Sequence, residues 1–272
     1  MTARRELRCV VCAYDLAPTE IVKRLGVIAA REGLRVHGII VDNRRRVSAL
    51  MPEGWCVLDG SNTLMDFSAY AEGTRKMLPA LSARESVLIL NDSVFSKHHA
   101  GNHFGTLLPY TQRIDAMPCP AIAGRVDRYV DQCYANPWSG LPVYVASFAF
   151  LANAPALERL LDCYDSVDAV MGPAGAIDTE AWGAGLTLPF REFLRTHVTM
   201  PRAASAWYQA ARWQSNPDVL ERKARCVYLE HRLSGEVGRD GVIFSIYASP
   251  RATLRAVVAD QWGKVSRRLG QH

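Results

Sequence analysis

The sequence contains no glycine-rich phosphate-binding loop. Neither a G-x-G-x-x-G run nor a Walker motif occurs anywhere in its 272 residues. Such loops hold the pyrophosphate of a dinucleotide, or the phosphates of ATP, against the first turn of a helix. Their absence argues against a Rossmann dehydrogenase and against a P-loop enzyme.

The seven cysteines do not form a pattern typical of a disulfide framework, because they are odd in number and scattered along the chain. Cys9 and Cys12 have the spacing of a redox or zinc pair, but they lie in an apolar run. A strand would point them to opposite faces of a sheet, and no second pair completes a zinc site. We therefore expect both thiols to lie in the core.

Long hydrophobic runs are also missing. The most apolar stretch, residues 141–156, is interrupted by Ser147 and Asn153 and is short for a membrane span. The charged N-terminus does not resemble a signal peptide. The net charge is +5, but no run of Lys and Arg is interleaved with aromatics, so nucleic acid is not an expected partner. These features predict a cytoplasmic protein.

Four predicted strands are each followed by an aspartate. The strands span residues 8–13, 34–41, 55–58 and 87–90, and the acids are Asp15, Asp42, Asp59 and Asp92. The carboxyl ends of parallel strands meet at one edge of an α/β sheet, where ligands bind. We expect the acids to share a crevice and to bind a ribose, the imide N–H of a base or a cation. For Asp92, a plain Asn-Asp-Ser turn is the alternative.

Helical patterns separate these strands. One helix begins at Pro18 and another spans residues 67–83. Strand, helix and strand in this order form a right-handed parallel crossover. Later segments predict further strands and helices in one domain, 1–272: strands at 121–125, 141–150 and 241–247, and helices beginning near Asn153, Ala203, Asn216 and Glu230.

Four short motifs resemble the nucleotide-sugar half of GT-A glycosyltransferases. In chain order they are Val41-Asp42-Asn43, Asp59-Gly60-Ser61-Asn62, Ser68-Ala69-Tyr70-Ala71-Glu72-Gly73 and Leu88-Ile89-Leu90-Asn91-Asp92-Ser93. They are similar to family-2-like enzymes, and the Asn-Asp-Ser form resembles the bacterial rhamnan-synthesis-type glycosyltransferases of cell-surface polysaccharides. Residues 104–108, 144–150 and 230–234 fit the same comparison.

This resemblance implies a GT-A-like (Rossmann-like) α/β fold, with a mostly parallel central sheet flanked by helices and C-terminal helical additions. Residues 1–95 would form the nucleotide-sugar-binding half and 96–248 the acceptor half. Residues 249–272 have the pattern of a basic amphipathic helix. That helix either touches an anionic membrane at its inner face or packs on the domain.

The resemblance also implies the site residues. Glu230 is the expected catalytic base, with Asp178 and Glu180 as alternatives, and Asp92 is an expected catalytic residue that binds Mn²⁺ or Mg²⁺. The residues expected to bind the nucleotide or donor are Ala13, Tyr14, Asp15, Asp42, Asn43, Asp59, Gly60, Ser61, Asn62, Tyr70, Asn91 and Ser93. Those expected near the acceptor or diphosphate are His103 and Ser147.

The expected metal motif has one acid where the family usually has two. Asp92 stands between Asn91 and Ser93, and amide or hydroxyl oxygens are weaker ligands for a hard cation than carboxylates. Either the cation binds weakly through Asp92, or Arg and Lys side chains neutralise the diphosphate instead.

Three histidines fall within residues 97–103. A helix would bring His99 and His103 to one face as a metal pair, but Gly101 and Asn102 favour a loop, which we expect. The loop would either be structural or contact the diphosphate or acceptor. Residues 44–46 are three arginines, which we expect to begin a solvated helix rather than to bind phosphate.

Two aromatic segments have open alternatives. Trp182 lies in the Gly-, Ala- and Pro-rich segment 172–189 and would stack on a sugar or pack on the core. The predicted helix 203–214 carries aromatic residues beside basic ones: Trp207, Tyr208 and Trp213 with Arg202 and Arg212. Packing within the protein is the simpler expectation, and an acceptor glycan, a lipid head group or a second subunit are the alternatives.

Together these features predict an inverting glycosyltransferase. It would move a sugar from a nucleoside-diphosphate sugar to a glycan or lipid-linked acceptor in bacterial cell-surface polysaccharide synthesis. The alternative is a non-catalytic nucleotide-sugar-binding or scaffold module. A nucleotidyltransferase is a third possibility, but residues 13–17 lack the glycine-rich start that such enzymes use.

Overall fold

A computed structural model describes residues 5–46, 50–97, 100–129, 133–175, 177–203 and 205–247. The strands are β1 (Arg5–Ala13), β2 (Leu34–Asp42), β3 (Trp55–Asp59), β4 (Ser86–Asn91), β5 (Ala121–Arg128), β6 (Val143–Asn153) and β7 (Val242–Ser245). The helices are α1 (Pro18–Arg31), α2 (Met65–Met77), α3 (Val94–Lys97), α4 (Ala100–Leu107), α5 (Thr111–Asp115), α6 (Ala154–Asp165), α7 (Val167–Met171), α8 (Leu188–Thr199), α9 (Ala210–Trp213) and α10 (Pro217–Asp240). The predicted C-terminal helix 249–272, His98 and His99 lie outside the described residues.

The seven strands form one sheet in the order β3-β2-β1-β4-β6-β5-β7. Strand β6 runs antiparallel to both of its neighbours, and the other six strands point in the same direction. The predicted α/β class and mostly parallel sheet are therefore confirmed. This arrangement brings the carboxyl ends of the first four strands to one edge of the sheet.

Each face of the sheet has its own hydrophobic core. Val10 and Cys12 of β1 point to the core that α2, α6, α8 and α10 cover. Cys9 and Val11 point to the opposite core, beneath α1 and α4. All described cysteines are free, and Cys9 and Cys12 are buried, so their predicted place in the core is confirmed. Alternation along β1 explains why their spacing does not make a pair.

The predicted helix starts at Asn153 and Asn216 are confirmed. The side chain of Asn153 accepts a hydrogen bond from the Ala156 amide, and that of Asn216 accepts one from the Val219 amide. Helix α10 then continues without interruption for 24 residues. The expectation that Glu230 lies near the start of a separate helix is wrong, because Glu230 lies in the middle of α10.

Three local predictions are also wrong. The arginines at 44–46 follow β2 in a turn and an irregular segment rather than in the start of a helix, and residues 100–103, which we expected in a loop, belong to α4. The predicted helix 203–214 shortens to α9, preceded by turns. Within the described ranges, no helix has the combination of length and apolar character that crossing a bilayer requires.

Candidate functional site

The four acids that follow the first four strands lie at one edge of the sheet, as the sequence predicts. In the strand register Asp42 pairs with Ala13 on one side and with Asp59 on the other. The Asp92 amide donates to the carbonyl of Cys12, and the Asp15 amide donates to the Asp92 side chain. The acids are therefore neighbours, but their carboxylates have different roles.

Asp92 binds the loop that follows β1. Its Oδ2 atom accepts the amide N–H groups of Tyr14, Asp15 and Leu16 at 2.8, 2.7 and 2.8 Å. Three successive N–H groups that converge on one oxygen form an anion-binding nest, and here the anion is part of the protein. The side chain is buried, with 2% of its surface exposed. Asp92 thus fixes the position of the Tyr14 loop.

Asp42 and Arg46 hold the other side of the same loop. The two carboxylate oxygens of Asp42 accept the amides of Arg44 and Arg46 at 3.0 Å each. The Arg46 guanidinium contacts Asp42 and donates to the carbonyls of Leu16 and Tyr14. The loop is therefore held through its N–H groups by Asp92 and through its carbonyls by Arg46.

This support leaves Tyr14 exposed at the strand edge. Its ring is 44% exposed, and the Arg44 guanidinium lies over it, 4.6 Å from the ring centroid. The side chain of Asp15 is exposed as well. A flat, partly exposed ring beside a guanidinium group is a suitable surface for stacking a nucleobase.

The segment after β3 is organised by Asn43 and Gly60. The Asn43 amide group donates to the Met65 carbonyl at 2.9 Å and to Asn62 at 3.3 Å. A Cβ atom added at Gly60 would lie 2.1 Å from Asn43 Oδ1, so only glycine allows this approach. The predicted Gly60 and Asn43 therefore shape the segment, while Asp59 and Ser61 beside them are exposed.

Asn91 connects the end of β4 to the first turn of α2. Its amide group donates to Asp66 Oδ2 at 3.0 Å, and its carbonyl oxygen accepts a hydrogen bond from the hydroxyl of Ser93. All three side chains are partly exposed. The Asn-Asp-Ser segment thus presents an amide and a hydroxyl to the edge of the sheet, beside the carboxylate of Asp66.

Glu230 projects from the middle of α10 towards β6. Its Oε1 atom accepts the Ser147 amide N–H at 2.5 Å. The pKa of Glu230 is raised to about 6: burial is the largest cause and the carboxylate of Asp66 adds to it, while Lys223 and the bonds to Ser147 act in the opposite direction. A half-buried carboxylate whose pKa lies near neutrality is suited to proton transfer.

Lys223 lies on the same face of α10 as Glu230, two turns earlier. Burial alone lowers the pKa of Lys223, but Asp66 and Glu230 more than reverse this effect, so its pKa is raised. The ammonium group is therefore cationic at neutral pH. Asn91 bonds to Asp66, Ser147 bonds to Glu230, and the charges of Asp66, Lys223 and Glu230 interact. With Tyr14, these residues define the region that we call the strand-edge crevice.

Several predicted ligand contacts are not compatible with the observed burial. Asp42 and Tyr70 have no exposed surface, so neither can touch a nucleotide directly. The Tyr70 hydroxyl instead donates to the Ser147 carbonyl at 2.9 Å. Ala13 is also buried and forms the end of β1. We correct their predicted roles from ligand contact to support of the surrounding residues.

The predicted His103 lies in α4 and is 3% exposed. Its ring packs 4.9 Å from that of Phe148, and its Nδ1 atom is 3.3 Å from the Tyr247 hydroxyl. It therefore packs between elements, and direct contact with a diphosphate is not expected. Trp182 is also buried, beneath Arg195, which settles its alternatives in favour of the core.

The implied Mn²⁺ or Mg²⁺ ion does not fit the described residues. They contain no group of three or more His, Cys, Asp or Glu side chains arranged to hold a metal ion. The Asp92 Oδ2 atom already receives three hydrogen bonds. Asp178 and Glu180, the alternative bases, are exposed in the segment between α7 and α8.

Sequence reasoning missed Asp66, Lys223 and the role of Arg46. Asp66 follows two residues with positive φ, Asn62 and Met65, and falls in the first turn of α2, where the helix dipole stabilises a negative charge. Lys223 precedes Glu230 by seven residues, a spacing that places both on one helix face once α10 is known to be continuous.

Comparisons with known proteins do not connect the chain to a family. No protein-family model matches it. No curated protein shows significant similarity to it either.

Proposed function

We propose that the protein is a glycosyltransferase that moves a sugar from a nucleoside-diphosphate sugar to a glycan or lipid-linked acceptor, with Glu230 as the catalytic base. The observation that carries this proposal is the half-buried Glu230 carboxylate, whose pKa is raised to about 6 at a sheet edge with an exposed Tyr14. The resemblance of the motifs to bacterial polysaccharide glycosyltransferases supports the same reaction.

The donor would bind along the carboxyl ends of β1 and β4. The base stacks on Tyr14, with Arg44 as its cover, and the exposed Asp15 and Asp59 accept hydrogen bonds from the ribose or the base. Asn91 and Ser93 contact the sugar or the diphosphate. The buried Asp92 and Asp42 and the partly exposed Arg46 act indirectly, because they hold the loop that carries Tyr14.

The proposed reaction uses the carboxylate of Glu230 as the base. Ionised Glu230 accepts the proton of an acceptor hydroxyl, and the oxygen forms a bond to the anomeric carbon. The bond from that carbon to the diphosphate breaks, and its electron pair leaves with the diphosphate. The cation on this wall of the crevice, Lys223, offsets negative charge there. Attack from the side opposite the leaving group inverts the anomeric carbon.

A non-catalytic nucleotide-sugar-binding module is the second candidate. One observation favours it: the Asp92 side chain already bonds to the Tyr14 loop, and the Asn91 side chain already bonds to Asp66. Such a module would bind the donor and release no nucleoside diphosphate.

One experiment separates the two functions. Thermal unfolding is measured with UDP, dTDP, GDP and CMP, with and without manganese, because a ligand of the native state raises the melting temperature. The nucleotide that stabilises the protein is then supplied as its sugar conjugates, and release of the free nucleotide is followed, which is the nucleoside diphosphate for UDP, dTDP and GDP donors and CMP for a CMP donor. Binding with release supports the transferase, and binding without release supports the module. Stabilisation by none of the nucleotides contradicts both.

A further inference from the structure

Two aromatic rings lie beside the wall of the strand-edge crevice that carries Glu230. The rings of Trp207 and Tyr208 are 6.4 Å apart, with 76° between their planes, and form what we call the aromatic corner. The Lys223 ammonium group is 5.8 Å from the centre of the Trp207 ring. Tyr208 is 72% exposed, so one ring of the corner faces solvent next to a residue of the crevice.

The corner is fixed by the fold. The Trp207 amide donates to the carbonyl of His197 in α8 at 2.7 Å, and its carbonyl accepts the Ala210 amide of α9 at 2.8 Å. The Trp207 ring packs partly against the hydrophobic core. These contacts place the rings without any ligand, so binding there would not require the segment to be ordered first.

The corner and Glu230 are related through α10. Lys223 and Glu230 are seven residues apart, or about 10 Å along a helix axis. Lys223 lies over the Trp207 ring and also interacts with the charge of Glu230, so the corner and Glu230 share this lysine as a neighbour. An acceptor whose reacting hydroxyl lies at Glu230 would have to extend past Lys223 to reach the corner, which suits a chain of two or more sugars.

The chemistry of the corner fits a sugar better than an acyl chain. The C–H groups on one face of a pyranose pack on an aromatic ring, while its hydroxyl groups need polar partners at the rim. Such partners are present: the Gln209 amide group donates to the Tyr208 hydroxyl at 2.6 Å, and Lys223 lies over Trp207. An acyl chain would leave these polar groups without compensation.

We propose that Trp207 and Tyr208 bind a sugar of the acceptor beyond the one that receives the transferred sugar, so that the acceptor is an oligosaccharide or polysaccharide chain. The proposal rests on the function assigned to the crevice. Under this proposal, binding of the acceptor depends on its length, because only an acceptor longer than one sugar reaches both Glu230 and Tyr208.

Binding of saccharides tests this proposal without a donor. The dissociation constants of chitotriose, cellotriose and an α-linked rhamnose trisaccharide are measured by intrinsic tryptophan fluorescence, each beside its methyl monosaccharide. At least one trisaccharide is expected to bind the wild-type protein. Tyr208→Ala should weaken its binding about fivefold to tenfold, the typical contribution of an aromatic contact, and Tyr208→Phe should weaken it less.

The matched control is Tyr134→Ala, because Tyr134 is 77% exposed in the segment between β5 and β6. It should bind the trisaccharide as the wild type does. Equal binding by Tyr208→Ala, or no binding of any trisaccharide by the wild type, overturns the proposal. A lipid surface is the alternative. If the wild type binds phosphatidylglycerol vesicles but no saccharide, and Tyr208→Ala loses the vesicle binding, the proposal is overturned.

Failure of the corner and failure of the transferase are distinguishable. If the protein turns over a nucleotide sugar, but Tyr208→Ala changes this turnover with no acceptor of any length, only the sugar site at the aromatic corner is contradicted. Trisaccharide binding that depends on Tyr208, with no nucleoside diphosphate released from any donor, contradicts the transferase and keeps the corner as a sugar site.

Discussion

The amide N–H of Ser147 donates a hydrogen bond to Oε1 of Glu230 at 2.5 Å. This bond joins the antiparallel strand β6 to the middle of α10, and the Tyr70 hydroxyl fixes the carbonyl of the same serine. The carboxylate is thereby oriented at the wall of the strand-edge crevice. Ser147 contacts the carboxylate through its main-chain amide and also through its hydroxyl, so the position depends on the path of β6 and on the serine side chain.

Glu230→Gln is expected to remove transfer while preserving the fold. Glutamine keeps an oxygen that accepts the Ser147 amide, but it cannot take up a proton, and loss of a general base typically lowers kcat by about 10²–10⁴. The rate of nucleoside diphosphate release measures the effect. Glu158→Gln, an exposed substitution on α6, serves as the control and should turn over as the wild type does.

The pH dependence of the reaction should follow the ionisation of Glu230. Because only the carboxylate form accepts a proton, kcat is expected to increase as the pH rises through about 6 and to level off above it. A pH–rate profile measured from 4.5 to 8.5 provides the check. A profile that is flat across this range would show that Glu230 does not transfer the proton.

The stability of the folded protein should decrease over the pH range in which kcat increases. The folded state raises the pKa of Glu230 from 4.5 to about 6 and therefore binds more protons than the unfolded state between these values. The free energy of unfolding should decrease by about 1–2 kcal/mol as the pH rises through this window. Urea denaturation at several pH values measures the slope, and Glu230→Gln should lose this part of it.

Asp92 is expected to matter for stability more than for metal binding. Removal of its carboxylate leaves three N–H groups of the Tyr14 loop without their acceptor, so Asp92→Ala should lower the free energy of unfolding by about 3 kcal/mol. Asp92→Asn should cost less, because its oxygen still accepts. Chemical denaturation measures both variants, with Asp178→Asn, at an exposed position, as the control.

A manganese titration separates the two roles of Asp92. As a loop anchor, Asp92→Asn should respond to Mn²⁺ as the wild type does, in thermal shift and in turnover. If Asp92→Asn is as stable as the wild type but no longer responds to Mn²⁺, Asp92 is a metal ligand, as the sequence predicts.

Arg46→Lys is expected to loosen the loop that carries Tyr14. A lysine has one compact ammonium group and cannot reproduce the fork that contacts Asp42 and the two carbonyls. Hydrogen exchange of the Tyr14 to Leu16 amides should accelerate, and nucleotide binding should weaken severalfold. Arg31→Lys, at an exposed position in the last turn of α1, should change neither quantity.

The strand-edge part of the site could be predicted from local sequence. Short apolar runs that end in Asp42, Asp59 and Asp92 determine both the strands and the side of the sheet on which the acids lie. Burial of individual acids could not be predicted in this way. The side chain of Asp42 accepts amides two and four residues ahead, which turns the arginine run 44–46 back onto the loop instead of into a solvated helix.

The other wall of the crevice depends on contacts between distant parts of the chain. Asp66 raises the pKa of Glu230 although more than 160 residues of sequence separate them, and no spacing rule covers such a distance. From the sequence we expected a helix start near Glu230 and so did not predict that α10 is continuous. Once Lys223 and Glu230 belong to one helix, the periodicity of 3.6 residues places both on the same face.

The most direct test of the account is release of nucleoside diphosphate from a panel of nucleotide sugars by the wild-type protein and by Glu230→Gln, at pH 8. The account predicts release by the wild-type protein from at least one donor and a reduction of at least about 10² in the variant. Equal release by both proteins, or no release from any donor by the wild type, would contradict it.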